Sequence, residues 1–443
     1  MAASTDPQPH LAERLIVATI GATWWLWLVG GLYIAGPVLG WTLAAMVLYA
    51  WYIGPALPEA ARPQRPQWVI WLWLVGMALM LLILFAGHAN FNLGTDQTIK
   101  SAVGWAKGWA LLALFPIAGS VLHIRLEAVV RAVCRLGRQT LFLLPIFLIA
   151  PFIGLPETLW VSPLKIFGGA GDEYFAAVLY TIEPGEGTPR WQFFAPWSPA
   201  AGMVAVIHFL LAREEKDTLW RWIGMMAAIL IALLSQSRLA LVALAVIIPM
   251  TYFIGRANRG SSWLLVAPLV LLAGWFGPQI QALADQAIDS FSGARADSSR
   301  VRAALGRIAL QRWQDEAYWF GHGIVVPGPH LVEYMPIGSH HSWYGLLYVK
   351  GILGALALAI PMLATLGASV VSATRGPVGR LALAMMLTYW LYSFGENLEV
   401  LTYIAWPALL VVGIAFRPQP EFLLGAPKEA HFRADAPGDS GAS

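Results

Sequence analysis

Residues 68–86 have the sequence WVIWLWLVGMALMLLILFA and contain no charged side chain. A helix of about 20 apolar residues is long enough to cross the roughly 30 Å hydrocarbon core of a bilayer. Comparable blocks recur along the chain, of whose 443 residues 58% are hydrophobic and 12% are charged. A transmembrane barrel would instead show alternating strands of about ten residues. The sequence therefore predicts an all-α fold, a polytopic bundle of transmembrane helices.

The apolar blocks predict about twelve membrane spans, most of which precede the largest polar segment of the chain. The first two spans are expected to form a hairpin around Gly36 and Pro37. The predicted spans are residues 15–35, 38–57, 68–86, 105–124, 141–159, 199–212, 219–234, 239–254, 263–276, 343–371, 381–394 and 400–416.

The distribution of basic residues predicts the orientation of these spans, because cytoplasmic loops are enriched in Lys and Arg. In the predicted topology most basic loop residues share one side, which is therefore assigned to the cytoplasm together with both termini. These residues are Arg62, Arg65, Arg125, Arg131, Arg135, Arg138, Arg213, Lys216, Arg221, Arg256, Arg259, Arg375, Arg380, Arg417, Lys428 and Arg433. In a bacterium the opposite side is the periplasm.

Four regions follow from this topology. Residues 1–276 hold the first nine spans, with a periplasmic loop at 160–198, and residues 277–342 form a large periplasmic loop between spans nine and ten. Residues 343–416 hold the last three spans, and residues 417–443 form a cytoplasmic tail whose composition predicts disorder.

Composition also excludes several classes of function. The formal net charge of +3 is too small to suggest a nucleic-acid partner, and the single cysteine, Cys134, excludes an internal disulfide framework. The histidine pair His340 and His341 has no carboxylate or cysteine at ligand spacing, so no metal site is expected there.

Arg238 is a candidate functional residue, because it begins a span on the side where positive charge is disfavoured. Its side chain could extend to lipid phosphate, but its small polar neighbours, from Ser235 to Ser237, favour a functional role. On the same side, Arg190 is a further candidate for contact with phosphate or glycan.

The large loop contains a predicted amphipathic helix at residues 297–313, with an apolar stripe from Val301 to Ala309. Arg300 and Arg307 are seven residues apart and share a face, and Arg302 lies between them in the sequence. Such a helix at the membrane surface could bind anionic headgroups nonspecifically or could clamp a phosphate group, since guanidinium matches phosphate oxygens. The helix alone leaves both interpretations open.

Three further residues complete the candidate site. His340 and His341 stand at the entrance of a span, where a neutral imidazole can accept a proton or can simply cap the helix. Glu396 lies in the turn between the last two predicted spans, on the periplasmic side. It could orient a histidine or arginine, or it could be a solvated turn residue.

Together these segments resemble the O-antigen ligase and polymerase superfamily of bacterial membrane glycosyltransferases. The matching features are Ser237-Arg238 before an apolar helix, an arginine-rich helix from Arg300 that leads to the Gly-x-Gly turn at 321–323, and His340 followed by Gly351 and Gly354. In this superfamily the histidine is usually followed by Asn, Ser or Gln. His340 has the expected distance to Gly351 and His341 has the expected neighbour, so both stay candidates, with His340 preferred for its spacing.

The resemblance implies a GT-C-like fold and a metal-independent, inverting transfer of O-antigen from undecaprenyl pyrophosphate to lipid A–core oligosaccharide in the periplasm, without a cofactor. It implies that Arg238, with Arg300 or Arg302, binds the donor pyrophosphate, and Arg307 is a further candidate. His340 or His341 would activate the acceptor hydroxyl, and Glu396 would orient a partner. A metal-independent reaction is chemically reasonable, because arginines can stabilise a diphosphate leaving group without a metal.

Two alternatives remain from the sequence. An O-antigen polymerase uses the same donor, and acceptor choice depends on loop shape. A lipid or solute transporter is less favoured, because transporters place their charges at the bilayer midplane on broken helices, often in repeated halves.

Overall fold

In the computed structural model the protein is an integral membrane protein built mainly of α-helices. The structure describes residues 10–56, 62–63, 65–168, 171–182, 187–258 and 296–417. In this part of the chain the helices are α1 (Leu11–Gly21), α2 (Thr23–Leu28), α3 (Leu32–Ile53), α4 (Trp68–Asn90), α5 (Thr95–Lys107), α6 (Leu111–Val121), α7 (Leu126–Ile149), α8 (Ser198–Ala212), α9 (Thr218–Leu234), α10 (Arg238–Ile254), α11 (Ala296–Glu316), α12 (Ser342–Ala373), α13 (Pro377–Ser393) and α14 (Leu398–Ala415).

Six helical segments of the described residues are long and apolar enough to cross a membrane, and the shorter helices α8, α9 and α10 are apolar too. The six are Leu32–Ala56, Trp68–Asn90, Thr95–Val121, Leu126–Ile149, Ser342–Ala373 and Leu398–Ala415. The helical membrane fold is thereby confirmed. The count of about twelve spans stays a prediction, and the expected span at 263–276 and the tail after Arg417 lie outside the described residues.

The predicted hairpin around Gly36 and Pro37 is wrong, because both residues lie inside α3. The chain turns earlier, at Gly30, whose φ of +67° is favourable only for glycine. Gly36 instead packs against α14, where an added Cβ would lie 2.7 Å from the Tyr403 carbonyl oxygen. The Gly-Pro pair therefore marks a close helix contact and not a turn.

Two other predicted spans have different ends. The block at 105–124 is divided between α5 and α6 at Gly108, and α7 begins at Leu126, before the predicted start of its span at 141. Its first turns thus include the arginines that the sequence analysis assigned to a loop. Arg131 is held there by Glu215 at 2.8 Å, and Arg138 lies 4.9 Å from the Trp220 ring centroid. These partners allow a charged segment to continue a transmembrane helix.

Helices α6 and α14 form a close contact in the core. A Cβ on Gly119 would lie 2.2 Å from the Leu410 carbonyl oxygen, and one on Gly413 would lie 2.2 Å from the Pro116 carbonyl oxygen. Small residues let helix backbones approach closely in a membrane, where packing replaces the hydrophobic effect between helices.

The predicted cytoplasmic ends of several helices meet at one end of the bundle. Arg125 before α7 bonds Glu13 of α1 at 2.6 Å. Arg417 after α14 donates to the Gly119 and Leu122 carbonyl oxygens at 2.9 and 2.7 Å. The grouping agrees with the predicted topology, and the assignment of this end to the cytoplasm stays a prediction.

The segment between α7 and α8 departs from the all-α expectation. Strand β1 (Thr158–Val161) pairs antiparallel with β2 (Ala176–Val178), and β3 (Thr181–Ile182) pairs antiparallel with β4 (Pro189–Arg190). β-Branched and aromatic residues in β1 favour an extended backbone. The strands bring Arg190 to the end of the bundle opposite Arg417, next to the turn before α10.

Candidate active site

The arginine-bearing helix α11 packs on the protein through its apolar stripe. Val301 and Leu305 are buried against Val332, and Ala309 is buried against Ile337 and Tyr348. The predicted amphipathic pattern is confirmed. The apolar face of α11 is covered by residues of the chain itself and does not rest on lipid, while the position of the helix at the membrane surface stays a prediction.

Helix α12 is interrupted at Gly351, and the segment 318–323 that follows α11 docks into the break. The interrupted helix would otherwise leave backbone groups without partners, which is costly when they are buried. Four backbone hydrogen bonds join the two segments: Ile352 N–H donates to Tyr318 O (2.9 Å), Leu353 N–H to Trp319 O (3.3 Å), His322 N–H to Tyr348 O (2.8 Å) and Gly323 N–H to Val349 O (3.0 Å).

Two glycines permit this docking. Gly321 and Gly351 have φ values of +66° and +64°. A Cβ on Gly321 would lie 2.3 Å from the Val349 carbonyl carbon, and one on Gly351 would lie 2.3 Å from the Trp319 carbonyl oxygen. Both positions therefore require glycine for conformation and for space. This explains two of the glycines on which the sequence resemblance depends.

Replacing Gly351 with alanine should lower the thermal unfolding midpoint of the detergent-purified protein. The left-handed conformation alone costs about 1–3 kcal/mol for a residue with a side chain, and the overlap with Trp319 adds to this. Gly367→Ala is the matched control, because a Cβ at Gly367 in the same helix would meet nothing within 4 Å. Equal midpoints for the two variants would contradict the docking described above.

Glu396 lies in the turn between α13 and α14 and is only 1% exposed, so it is not a solvated turn residue. The Trp197 indole N–H donates to its Oε2 at 2.9 Å. The Ser342 hydroxyl donates to the Glu396 carbonyl oxygen at 2.7 Å, and the Leu398 N–H donates to that hydroxyl at 3.0 Å. Burial raises the pKa of Glu396 to about 7, while Arg302 and the Trp197 bond act in the opposite direction.

The two histidines have different surroundings. The backbone N–H of His341 donates to Asn397 Oδ1 at 3.0 Å, and its Nδ1 accepts the Tyr344 N–H at 3.3 Å. Its ring also stacks on the Tyr344 ring with 3.8 Å between centroids. His341 is therefore the N-cap of α12. The imidazole of His340 makes no hydrogen bond to any residue that the structure describes, which leaves its nitrogens available to a substrate.

The Arg302 guanidinium influences both the histidine and the carboxyl group through its charge. It is exposed on α11, and its charge acts on both His340 and Glu396. Burial and, to a smaller extent, the charge of the Arg302 guanidinium lower the pKa of His340 to about 4. Burial also lowers the pKa of His341 to about 4. Both imidazoles are thus neutral at pH 7, as a proton acceptor must be.

The turn that carries Arg238 lies beside Glu396. A Cβ on Gly395 would lie 3.4 Å from Leu239 Cδ2, and the Tyr392 side chain is close to both Ser237 and Glu396. Arg238 is the first residue of α10 and is half-buried. The structure therefore brings the Arg238 turn, Arg302, His340 and Glu396 to one end of the bundle.

The other predicted arginines have different positions. Arg190 is buried, and its Nε donates to the Ser235 carbonyl oxygen at 3.1 Å, so it supports the turn before Arg238. Arg300 and Arg307 are exposed on α11. The charge of Arg302, on the same helix, acts on His340 and Glu396.

Sequence analysis gave no role to Trp197, whose indole N–H donates to Glu396. Its position directly before α8, at the end of a loop on the same side as Glu396, was the only signal available. It also missed the contact between Glu316 and His322, whose side chains lie 2.8 Å apart. Neither contact has a sequence signature, because both depend on how separate segments pack.

Residues 223–359 match the model of a family described as O-antigen ligase. The match extends from α9 into α12, so it includes Arg238, α11, the Gly-x-Gly turn and both histidines, and it confirms the resemblance inferred from these motifs. This family includes O-antigen ligases and related polymerases. Trp197 and Glu396 lie outside the matched residues. No curated protein matches the chain.

Proposed function

From this family relationship we propose that the protein is an O-antigen ligase, which transfers O-antigen polysaccharide from undecaprenyl pyrophosphate to lipid A–core oligosaccharide. The reaction would take place on the periplasmic side of the inner membrane, without a metal and with inversion at the anomeric carbon. The observation that carries the proposal is the proximity of Arg302 to His340 and Glu396 at an end of the bundle that also holds Arg238.

Arg302 and Arg238 would bind the donor diphosphate. Cleavage of the glycosyl–phosphate bond leaves the bonding electron pair on a phosphate oxygen, so negative charge increases there in the transition state. Fixed guanidinium groups stabilise this charge and match the phosphate oxygens in pairs. Arg300 and Arg307, exposed on the same helix, would contact the remaining phosphate oxygens or the glycan. Arg190 would stabilise the turn before Arg238 through its hydrogen bond to the Ser235 carbonyl oxygen.

His340 would act on the acceptor. The acceptor sugar hydroxyl attacks the anomeric carbon from the side opposite the diphosphate, which inverts its configuration, and its proton passes to the neutral imidazole. A bound diphosphate also places negative charge near Arg302. That charge offsets the effect of Arg302 on the His340 pKa and makes the imidazole a better proton acceptor. His341 would support His340 by capping α12.

Glu396 would orient Arg302. Its carboxyl group is fixed by Trp197 and its backbone by Ser342, so it offers a rigid negative charge to the guanidinium. Because its pKa is about 7, the carboxylate form increases as the pH rises through neutrality. A fixed partner limits the rotamers of a long side chain, which is the usual requirement for a preorganised site.

The proposal is tested by expression in a bacterial strain that lacks its own O-antigen ligase but makes the lipid-linked polymer. We expect the wild-type protein to restore lipopolysaccharide with a ladder of long O-antigen on a gel, and an empty vector to leave unmodified core. A core without O-antigen, at normal membrane levels of the protein and with an acceptor core from the same source as the gene, would refute ligase activity.

The O-antigen polymerase is the second candidate, because the matched family includes such enzymes. Deletion in the native host separates the two. Loss of a ligase leaves long polymer on undecaprenyl pyrophosphate, whereas loss of a polymerase leaves at most one repeat unit on the core.

A further inference from the structure

Two buried tyrosines have hydroxyl groups that bond to none of the residues that the structure describes. Tyr174, in the segment between α7 and α8, is 6% exposed, and Tyr403 of α14 is 3% exposed. A buried hydroxyl normally has a hydrogen-bond partner, because leaving it unpaired costs free energy. The two hydroxyls are therefore candidates for contact with a ligand.

Both tyrosines line one cleft. The other residues that bound it include Trp27 at the end of α2, Glu173, and Pro196 directly before Trp197. The cleft is narrow and has room for about one water-sized group. It can therefore take a single hydroxyl group of a larger molecule, whose remaining atoms would lie at its mouth.

The polar ends of these side chains lie close together. The Tyr174 hydroxyl interacts electrostatically with Tyr403, with Tyr33 and with the Glu173 carboxylate. The three tyrosine rings also pack on one another, with centroid distances of 4.9 Å from Tyr33 to Tyr174, 5.1 Å from Tyr33 to Tyr403 and 6.1 Å from Tyr174 to Tyr403. This packing restricts the rings, so the hydroxyls are already in position before a ligand binds.

The residue types in the cleft favour an uncharged ligand with hydroxyl groups. A tyrosine hydroxyl donates and accepts hydrogen bonds and a carboxylate accepts them, so together they match a sugar hydroxyl, which does both. Among the described residues that line the cleft there is no lysine or arginine, and Glu173 contributes negative charge. An anion such as the donor diphosphate would be repelled here, whereas a sugar would not.

The cleft is adjacent to the candidate active site. The Tyr174 ring lies 5.8 Å from the Trp197 ring, and the Trp197 indole N–H donates to Glu396 at 2.9 Å. A glycan whose reacting end lies beside Glu396 can therefore reach the cleft with a neighbouring sugar residue.

We propose that this cleft is a glycan subsite, in which the Tyr174 and Tyr403 hydroxyls bind one hydroxyl group of a sugar residue in a substrate of the transfer reaction. The inference rests on the proposed function and adds a position at which one sugar is distinguished from another. A sugar without the matching hydroxyl leaves the buried tyrosine hydroxyls unpaired, so it binds less well. The sugar belongs either to the O-antigen of the donor or to the core oligosaccharide of the acceptor.

The variants Tyr174→Phe and Tyr403→Phe each remove one hydroxyl and keep the ring. Tyr389→Phe is the matched control, because the Tyr389 hydroxyl donates to the Ala405 carbonyl oxygen at 3.2 Å and does not line the cleft. The KM of each purified protein would be measured separately for lipid-linked O-antigen and for lipid A–core, with the other substrate saturating. The thermal unfolding midpoint would be measured without substrate and with each substrate alone.

We expect Tyr174→Phe and Tyr403→Phe to raise the KM for one of the two substrates about three- to tenfold, the usual effect of one lost hydrogen bond, with little change in kcat. The substrate whose KM rises identifies the source of the sugar. Without substrate, both variants should unfold at or above the wild-type midpoint, because the missing hydroxyl bonds to no described residue. Tyr389→Phe should show the opposite pattern, with a normal KM and a lower midpoint.

The same substrate, added alone, should raise the unfolding midpoint of the wild type more than that of either cleft variant. The inference is overturned if both variants keep the wild-type KM for each substrate, or if they lower the midpoint without substrate as Tyr389→Phe does, since the hydroxyls would then hold water or serve the fold only. Failure of the proposed function gives a different result. The wild type would then transfer no glycan to lipid A–core, while the midpoints with each substrate alone would still decide whether the cleft binds a sugar.

Discussion

Replacing His340 with alanine should lower the rate of glycan transfer by about 10²–10⁴-fold, the usual contribution of a general base. The structure favours His340 over its neighbour for this role. His341 uses Nδ1 to accept the Tyr344 N–H, whereas the His340 ring has no hydrogen bond to a described residue and lies near Arg302. The rate would be measured with purified protein, lipid-linked donor and lipid A–core, at equal membrane expression of each variant.

His341→Ala is the informative comparison for this prediction. Loss of a helix N-cap costs about 0.5–2 kcal/mol of stability, so this variant should unfold at a lower temperature and keep most of its rate at moderate temperature. His340→Ala should show the opposite pattern, with a normal unfolding midpoint and little activity. A normal rate for His340→Ala together with an inactive but stable His341→Ala would reverse the two roles.

Replacing Arg302 with alanine should lower kcat by about 10²–10³-fold, or about 2.7–4 kcal/mol of transition-state stabilisation, as for the loss of one donor to a developing anion. Arg302→Lys should recover only part of this, because an ammonium group cannot form the paired bonds that guanidinium makes to phosphate. Gln311→Ala is the control, since Gln311 is exposed on the same helix. A normal kcat for Arg302→Ala would exclude Arg302 from the reaction.

The pH dependence of the transfer rate gives a second test of the role of Arg302, because the ionisation of Glu396 should affect how Arg302 is oriented. The pKa of Glu396 is raised by burial to about 7, so the carboxyl group is protonated below this pH and ionised above it. If the carboxylate orients Arg302, the wild-type rate should rise as the pH increases through about 7. Glu396→Gln should be slower and should lose this rise. A rise of the same size in the variant would assign the titration to another group.

The fold class could be predicted from sequence because lipid imposes a strong and local constraint. Each apolar block must satisfy its own backbone hydrogen bonds, so its length and composition are enough to indicate a helix. The turns were less predictable. Gly36 and Pro37 have the composition of a turn, yet Gly36 is needed for the contact with Tyr403 of a distant helix, which the sequence of α3 does not contain.

The candidate site could be predicted in part, because its charged residues lie where charged residues are uncommon, next to long apolar segments. Arg238, the α11 arginines and the histidine pair were visible because charged or titratable residues are sparse between long apolar blocks. The choice among them required the structure. Arg302 occupies a different face of α11 from Arg300 and Arg307, and its charge acts on His340. His341 caps α12 through Nδ1, whereas the His340 imidazole makes no hydrogen bond to a described residue.

The docking of residues 318–323 into the break of α12 explains why the glycine motifs accompany the charged residues. Four backbone hydrogen bonds and the Gly321 and Gly351 contacts hold the loop against the helix. The loop follows α11, which carries the arginines, and α12 follows the two histidines. The glycine motif takes no part in the reaction itself, but it brings the arginines of α11 close to the histidines that precede α12.

A structure of the protein with bound undecaprenyl pyrophosphate tests the central claim most directly. The account predicts that the diphosphate lies within hydrogen-bond distance of the Arg302 guanidinium, next to the Arg238 turn, with the His340 imidazole facing the position of the anomeric carbon. A diphosphate bound at the opposite end of the bundle, beside Arg131 or Arg138, or one bound out of reach of both Arg302 and His340, would contradict it.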